Sequence, residues 1–333
     1  MTEQKSSSKI ARAALAIKAI KLSINLAVIN LFTWAKGWKT PIYNDNRLHL
    51  SYPENRNLIV KAMEEKVGEE KLAFDGILLT KSAGIAWGVL LGDILGKPVF
   101  MISDEGEVYT FPYNKELVVN ENPSEYDLVA SDSPFGIPLG VRIAHHFNKG
   151  FIYVRPETKT HGLKNKVEGA YQQGQKIYYV DSGMYGVNKT VENMEFLSEL
   201  SEDSIGRGMN DVPMKEVSIA GLRLVGIEDL ISTGGSSLDE AVQARALGAT
   251  ITDIITIFSY KFPVAAEKAE KAGVTVHSLL DYNELLEEAV AAEYIQPDML
   301  EILKTWREDP ITWSDEHGET TFTKKQGASD EVK

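Results

Sequence analysis

After its first 70 residues the chain alternates short apolar runs with helical segments, and this alternation limits the fold more than any other feature of the sequence. The apolar runs predict strands at 76–79, 98–102, 223–227, 251–258 and 275–279. The segments between them predict helices at 85–95, 237–247 and 264–272, each followed by a glycine (Gly96, Gly248 or Gly273). Strands that alternate with helices in this order are typical of a parallel sheet with right-handed crossovers. The sequence therefore predicts an α/β fold.

The two ends of the chain predict helices of a different kind. Apolar residues recur at helical spacing between residues 10 and 32, at Ile10, Ala13, Ala14, Ile17, Ile20 and Ile24. Lys18 and Lys21 interrupt this run, which argues against a signal peptide or a membrane span. A second helix is predicted from Pro53 to about residue 67, and a helical tail over 281–307. We expect residues 1–8 and those after 313 to be polar ends without fixed structure.

Composition excludes several classes of function. The chain has 333 residues, with 48 Asp and Glu against 35 Lys and Arg, so its net charge is −13 at pH 7. A chain this acidic lacks the basic surface that binds nucleic acid. It has no cysteine, which excludes disulfides, thiol nucleophiles and cysteine-ligated metals. We expect a cytoplasmic protein, and a local basic pocket for an anionic small molecule stays compatible with the charge.

Part of the sequence is repeated. Residues 75–105 align without gaps on residues 127–157, with seven identities in 31 positions, against about two expected by chance. A weaker similarity relates residues 174–193 to residues 221–240. We interpret the repeats as extra strand–helix units inserted into one sheet; the alternative is that all such units look somewhat alike.

The strongest local signal is residues 227–237, which read IEDLISTGGSS. A buried strand ends in two carboxylates, Glu228 and Asp229, and a loop of hydroxyls and glycines leads into a helix. Main-chain N–H groups, hydroxyls and the helix dipole together fit a phosphate cradle. It has neither the Walker A pattern nor the dinucleotide-binding fingerprint. The two carboxylates suit the vicinal hydroxyls of a sugar phosphate.

This string resembles the signature of the type I phosphoribosyltransferases, and most closely that of the orotate phosphoribosyltransferase family. Other stretches agree: FTWAKGWKTPIYNDNR at 32–47 and LSYP at 50–53 resemble the family's N-terminal hood, and SAGIAWG at 82–88 resembles its diphosphate turn. IFSY at 257–260 and WREDP at 306–310 are also similar. The resemblance covers about 1–102, 151–170 and 219–313. It implies a parallel sheet flanked by helices, with a hood and inserted strand–helix units.

The resemblance also implies a division of the chain. Residues 1–72 would form the N-terminal helix and hood, and 73–280 the phosphoribosyltransferase core. Insertions would lie at about 103–150 and 176–218, the helical tail at 281–313, and a disordered end at 314–333. A homodimer with shared active sites is expected from the family.

A second polar cluster lies at residues 153–162, which read YVRPETKTHG. Arg155, Lys159 and His161 could close over a diphosphate, although a solvated surface loop is the alternative. The cluster resembles the family's flexible catalytic loop, in which these three residues match. Pro156 departs from the pattern, because the family commonly has a second lysine there.

The implied reaction joins orotate to 5-phosphoribosyl 1-diphosphate, giving orotidine 5′-monophosphate and diphosphate, with Mg²⁺ bound mainly through the substrate. We expect Lys159, His161, Arg155 and Asp229 to be catalytic. The expected substrate-binding residues are Glu228, Asp229, Leu230, Ile231, Ser232, Thr233, Gly234, Gly235, Ser236, Lys39, Tyr43, Arg47 and Lys81. The alternatives are transfer to another base, or a non-catalytic sensor of phosphoribosyl diphosphate.

Three further features lie in the second copy of the repeat, and one of them leaves an alternative open. The turn at 132–138 competes with the turn at 80–84 as the one that faces the diphosphate. Asp181 ends a strand as Glu228 does, but its loop is a poor phosphate cradle. The neighbouring His145 and His146 read as a pair on a helix surface, because no third ligand stands at a zinc spacing.

Overall fold

The computed structural model describes residues 5–22, 31–34, 37–111, 122–157, 165–182, 185–201, 205–209 and 215–323. Its strands are β1 (Ile20–Leu22), β2 (Phe32–Thr33), β3 (Lys39–Thr40), β4 (Ile42–Asn44), β5 (Gly76–Leu79), β6 (Val99–Ile102), β7 (Val108–Phe111), β8 (Leu128–Asp132), β9 (Gly150–Val154), β10 (Val167–Glu168), β11 (Ile177–Asp181), β12 (Ile205–Met209), β13 (Lys215–Glu216), β14 (Arg223–Ile231), β15 (Thr250–Ser259) and β16 (Thr275–Asp281). Its helices are α1 (Ser6–Ala16), α2 (Pro53–Glu69), α3 (Lys81–Leu95), α4 (Ile137–His146), α5 (Gly186–Leu200), α6 (Gly235–Ala246), α7 (Pro263–Lys271), α8 (Tyr282–Ala291), α9 (Pro297–Glu308) and α10 (Pro310–Thr323). Two short 3₁₀ helices lie at Asn46–Ser51 and Pro123–Glu125.

The larger sheet has seven strands in the order β13-β7-β6-β5-β14-β15-β16. From β6 to β16 they run parallel, whereas β7 lies antiparallel to β6 and β13 antiparallel to β7. All four residues of β5 are buried, as expected for a strand with helices over both faces. The predicted α/β fold with a parallel sheet flanked by helices is confirmed.

A second sheet of five strands has the order β10-β9-β8-β11-β12. We expected the repeated units in one sheet, and this expectation is wrong; the insertions at about 103–150 and 176–218 stay a prediction. Strands β8 to β12 form their own sheet, and β9 and β10, which lie in the segment that resembles the family, belong to it. The pairing shows the division: β5 has β6 on one side and β14 on the other, whereas β8 pairs with β9 and β11.

The two sheets are joined through helices. Helix α3 of the larger sheet packs on α4 of the smaller one, and Arg142 and Asp93 form a bidentate ion pair between them with two N–O distances of 2.8 Å. The fully buried Arg56 of α2 donates to the main-chain oxygens of Leu50, Ala144 and Lys149 at 3.0, 3.2 and 2.8 Å. One apolar core cluster contains residues from both sheets.

The structure corrects the predictions for both ends. Helix α1 ends at Ala16, and Lys18 adopts a positive φ of 59°, so the predicted helix over 10–32 breaks there. The following β1 pairs antiparallel with β4. Residues 6–8, expected to lack structure, belong to α1.

The carboxyl-terminal end is ordered further than predicted. Helix α10 reaches Thr323, and Ser314 Oγ accepts a hydrogen bond from the main-chain N–H of Lys39 at 2.8 Å. The expected disorder over 314–333 is therefore wrong for 314–323; residues 1–4 and 324–333 lie outside the described part. None of the helices in the described ranges combines the length and the apolar character needed to cross a membrane.

Candidate active site

The two predicted carboxylates lie within β14 and not beyond its end, because this strand continues to Ile231. Glu228 is buried, and its Oε2 accepts a hydrogen bond from Ser237 Oγ at 2.6 Å. Its Oε1 accepts one from the main-chain N–H of Asp229 at 2.9 Å. Asp229 is half-buried. Ser237, the last residue of the predicted cradle, thereby fixes the orientation of Glu228.

The environment of Glu228 disfavours its negative charge. Burial raises the pKa of Glu228 well above its ordinary value, and the neighbouring charge of Asp229 adds to this effect. The hydrogen bond from Ser237 acts in the opposite direction. Since desolvation is the dominant cause, a ligand that donates hydrogen bonds to this carboxyl group would be well matched to it.

The predicted phosphate cradle follows directly. Gly234 has a φ of +72°, a left-handed conformation that strongly favours glycine, and α6 begins at Gly235. The main-chain N–H groups of a helix start and the helix dipole favour an anion here. Lys268 Nζ donates to the main-chain oxygen of Thr233 at 3.1 Å, which places a cation beside the cradle.

The remaining predicted cradle residues have different roles. Leu230 is half-buried, while Ile231 is buried and accepts a hydrogen bond from Tyr260 through its main-chain oxygen at 3.1 Å. Ser232 is half-buried at the turn. The main chain of Ser236 lies in the first turn of α6, but its side chain is outside the described part.

Of the two turns that competed in the sequence, the one at 80–84 lies against β14. The main-chain oxygen of Ile227 accepts hydrogen bonds from Thr80 Oγ1 at 2.5 Å and Thr80 N at 3.3 Å. A Cβ at Gly84 would lie 2.2 Å from the same oxygen, so only glycine lets α3 approach this closely. Lys81 begins α3, but its side chain is not described.

The hood contacts the carboxylate strand through Asn46, a residue that sequence reasoning missed. Asn46 Nδ2 donates to the main-chain oxygen of Asp229 at 2.7 Å. The next residue, Arg47, is buried and its Nε lies 2.6 Å from Asp45 Oδ1. Burial alone would lower the pKa of Arg47, but its charged partners, Asp45 first among them, hold it well above the ordinary value.

Two other hood predictions have separate outcomes. Burial, followed by the charge of Asp45, raises the pKa of Tyr43 to about 12, and Arg47 opposes the shift; Tyr43 therefore belongs to the Arg47 cluster. Lys39 Nζ donates to Thr33 Oγ1 at 2.8 Å within the hood.

Arg155, at the start of the predicted catalytic loop, is connected to this cluster. Its Nε lies 2.5 Å from Glu168 Oε1, and Arg47 Nη1 lies 2.7 Å from the same oxygen. Glu168 is 1% exposed. The sequence prediction missed it, although an acid on the strand that follows the Arg155 loop was the available sign of a partner for Arg155. Lys159 and His161 lie outside the described residues, so their predicted roles are untested.

The second turn belongs to a different environment. Ser182 donates to Asp132 from both its main-chain N–H, at 2.8 Å, and its hydroxyl. His145 and His146 are exposed at the end of α4. Within the described part of the chain no group of three or more His, Asp or Glu residues could hold a metal ion.

Comparison with known proteins decides the family. The chain is 30% identical over 304 residues to the orotate phosphoribosyltransferase of Porphyromonas gingivalis, covering 91% of this chain and 96% of that protein. It is 30% identical over 306 residues to the Streptococcus mutans enzyme of the same name, covering 92% and 97%. The chain belongs to the orotate phosphoribosyltransferase family. The resemblance drawn from the sequence motifs is thereby confirmed.

Solved structures of orotate phosphoribosyltransferases also match the chain. The Aeropyrum pernix structure gives a TM-score of 0.35 at 15% identity, over 85% of this chain and 98% of that one. The Francisella tularensis structure gives 0.41 at 11% identity, over 92% and 98%. Scores at this level carry no argument, so the family rests on the sequence relatives. No family model matches the chain.

Proposed function

We propose that this member of the orotate phosphoribosyltransferase family transfers the phosphoribosyl group of 5-phosphoribosyl 1-diphosphate to orotate, giving orotidine 5′-monophosphate and diphosphate. The curated relatives are named for this activity, and their similarity to this chain covers more than nine-tenths of their length. The solved Mycobacterium tuberculosis orotate phosphoribosyltransferase is described in complex with 5-phospho-α-D-ribosyl 1-diphosphate; its TM-score of 0.34 adds no structural argument.

The proposal rests on the order of the functional groups at the carboxyl end of β14. Two adjacent carboxylates, Glu228 and Asp229, precede a glycine turn that opens onto the start of α6. The carboxylates suit the two vicinal ribose hydroxyls, and the residues 232–236 suit the 5′-phosphate. The Thr80–Gly84 turn lies beside the same strand, where the diphosphate would be held.

The chemistry assigned to these residues is mainly electrostatic. When the C1′–O bond breaks, the ribose becomes cationic and the diphosphate leaves with additional negative charge. Asp229 would favour the developing cation, while Arg155, Lys159 and His161 would stabilise the leaving group. Removing one such stabilising donor typically lowers the rate about 10²- to 10³-fold.

We assign Mg²⁺ to the place where the diphosphate would lie. Carboxylates and phosphate oxygens are the ligands that Mg²⁺ prefers, and Glu228 and Asp229 supply carboxylate oxygens where the ribose and diphosphate would meet. Since Glu228 and Asp229 are the acids placed there in the described part of the chain, most of the Mg²⁺ ligands would come from the substrate diphosphate and water. Bound in this way, Mg²⁺ would neutralise charge on the leaving group.

We assign orotate to the hood side of the site. Lys39 and Tyr43 keep their predicted roles toward the base. The guanidinium of Arg47 is already paired with Asp45 and Glu168, which favours a role in holding this cluster in place. The predicted homodimer and cytoplasmic location rest on the resemblance and on composition, and they stay proposals.

The test is consumption of orotate, followed by its ultraviolet absorbance, with 5-phosphoribosyl 1-diphosphate and Mg²⁺ present. We expect turnover by the wild type and a loss of at least 100-fold in Asp229→Asn and Lys159→Ala. Asp239→Asn, an exposed carboxylate on α6, is the matched control and should keep wild-type activity.

The outcome also separates the alternatives. Binding of phosphoribosyl diphosphate without orotate turnover, but with turnover of another base, would replace orotate as the acceptor. Binding without turnover of any base would indicate a sensor, which Pro156 in place of the family's lysine would help to explain.

A further inference from the structure

The two sheets contain the same arrangement of strands. In the larger sheet the order is β7-β6-β5-β14-β15, and in the smaller sheet it is β10-β9-β8-β11-β12. The outer strand is antiparallel to its neighbour in both, and the other pairs are parallel. We call residues 76–111 together with 223–281 the flanking copy, and residues 128–209 the inserted copy.

The pairing registers agree residue by residue. In the flanking copy Gly76 faces Leu224; their counterparts, Leu128 and Ile177, face each other in the inserted copy. The offsets are those of the two sequence repeats. The antiparallel pairs agree as well, since Ile102 with Val108 corresponds to Val154 with Val167. Such agreement across two sheets indicates one unit present twice.

A side-chain contact is also repeated. Ser237 Oγ donates to Glu228 at 2.6 Å. At the equivalent positions Thr190 Oγ1 donates to Asp181 Oδ2 at 2.7 Å. In each copy, an acid near the end of the strand accepts a hydrogen bond from a hydroxyl nine residues later, in the following helix.

The copies differ at the ligand positions. Tyr185 stands where the flanking copy has Ser232, and Phe135 stands where it has Ala83. These two rings pack together with centroids 6.1 Å apart, and the Tyr185 hydroxyl donates to Ser133 O at 2.7 Å. Together with the Ser182–Asp132 hydrogen bonds, these contacts connect the two turns of the inserted copy directly through its own side chains.

The connection between the two antiparallel strands also differs, and here the inserted copy has the longer one. In the flanking copy β6 and β7 are joined by residues 103–107, a short turn in which the main-chain N–H of Ser103 donates to Glu107 O. In the inserted copy the equivalent strands are joined by residues 155–166, and Arg155 N donates to Lys166 O at the base of this connection. The cradle is thus found in one copy and the long connection in the other.

Two consecutive residues of the hood contact both copies: one reaches the carboxylate strand of the flanking copy, and the next reaches the base of the long connection in the inserted copy. Asn46 donates to Asp229 O of the flanking copy at 2.7 Å. Arg47 pairs with Glu168 of the inserted copy at 2.7 Å, and Glu168 holds Arg155. The charge of Asp229 is close enough to contribute to the raised pKa of Tyr153, whose largest cause is burial.

We propose that each chain has one phosphoribosyl diphosphate site assembled in cis, with its cradle in the flanking copy and Arg155 supplied by the inserted copy, which binds no ligand of its own. This inference rests on the proposed function. The inserted copy then acts as a built-in second subunit, and Arg47 and Glu168 are positioning residues for Arg155.

The test is calorimetric titration of the full chain with 5-phosphoribosyl 1-diphosphate and Mg²⁺. We expect one site per chain. Ser237→Ala should weaken binding about tenfold, since a hydrogen bond to a carboxylate is lost. Its counterpart Thr190→Val should leave affinity within about twofold. Two sites per chain, or equal weakening by both variants, would overturn this inference and leave the proposed function intact. No binding by the folded wild type would overturn the proposed function, and this inference with it.

A mixing experiment tests assembly in cis. Asp229→Asn and Arg155→Ala, each inactive alone, are co-expressed or mixed after mild dissociation. Assembly in cis predicts no recovery of orotate turnover. If the arginine served a neighbouring chain, random dimers would recover about a quarter of wild-type activity, and the inference would be wrong. Glu168→Gln adds a separate readout: in the folded protein it should lower kcat more than it raises KM, through misplaced Arg155, and it should also lower the melting temperature, because the buried Arg47 loses a charged partner. Glu192→Gln, at an exposed acid of the same copy, should change neither kcat nor the melting temperature.

Discussion

The side-chain amide of Asn46 donates a hydrogen bond to the main-chain oxygen of Asp229 across 2.7 Å, and this contact fixes the hood against the strand that carries both carboxylates. Asn46 and Asp229 are 183 residues apart in the chain. One amide group of the hood therefore contacts the carboxylate strand directly.

Replacing Asn46 with alanine removes this hydrogen bond. A net contribution of about 1 kcal/mol predicts that Asn46→Ala raises KM for phosphoribosyl diphosphate about fivefold. Asn57→Ala, an exposed asparagine on α2, is the control and should leave KM unchanged. An unaltered KM in Asn46→Ala would show that the hood does not help to hold the substrate.

Gly84 allows the start of α3 to lie against Ile227. A Cβ there would be 2.2 Å from a main-chain oxygen, so Gly84→Ala must displace the turn and should destabilise the protein by about 1–3 kcal/mol. Gly68 of α2 has no atom within 4 Å of its Cβ position, and Gly68→Ala should stabilise by about 0.5–1 kcal/mol. Urea unfolding measures both; equal effects would contradict the proposed close approach.

His49 predicts a loss of stability in acid. Burial lowers the pKa of His49 from 6.5 to about 4, so the unfolded chain takes up a proton before the folded one. The corresponding stability is present above pH 6.5 and is lost as the pH falls toward 4, by about 3 kcal/mol. His49→Leu should reduce this loss, whereas the exposed His146→Gln should follow the wild type. Unfolding free energies at pH 7 and pH 4 decide the prediction.

The raised pKa of Glu228 should make folding stability depend on pH in the opposite direction. Its pKa is raised in the folded state, chiefly by burial, so the unfolded chain ionises first as the pH rises. Folding stability therefore falls as the pH increases from about 4.5. Glu228→Gln should remove this fall and raise the melting temperature at pH 8, while weakening binding of phosphoribosyl diphosphate. Glu270→Gln, on the exposed side of α7, should change neither quantity.

Replacing the buried Arg56 should lower the free energy of unfolding strongly, because its guanidinium connects neighbouring segments. Its guanidinium donates to three main-chain oxygens, and Arg56→Met leaves them without this donor, which should cost about 3 kcal/mol or more. Arg223→Met, which breaks an exposed ion pair with Asp75, should destabilise the protein far less, because water and salt screen an exposed pair. Chemical denaturation of the two variants compares them directly.

Much of the larger sheet could be predicted from local pattern. The strand at Gly76–Leu79 has the predicted bounds, and the carboxylates, glycine turn and helix start at 228–235 follow the predicted order. These features depend on neighbours in sequence, such as the glycines that need a positive φ. They are therefore readable from sequence alone.

The division into two sheets could not be predicted in the same way. A strand–turn–helix unit has the same local pattern whichever sheet it joins, and Leu128 pairs with Ile177 rather than with a strand of the larger sheet. Asn46 and Glu168 were missed because their partners are distant in sequence or belong to another element. Lys18 was misread because helical spacing continued past it, although its φ is positive.

The placement of one copy inside the other has a consequence for the order of folding during synthesis. Strand β5 cannot meet β14 until about 150 further residues have left the ribosome, whereas β8 to β12 follow one another without interruption. The inserted copy can therefore compact first, which shortens the effective connection between β5 and β14 and lowers the entropy cost of closing it. Nascent chains from which residue 209 has just left the ribosome should already resist proteolysis over 128–209, before β14 has been released.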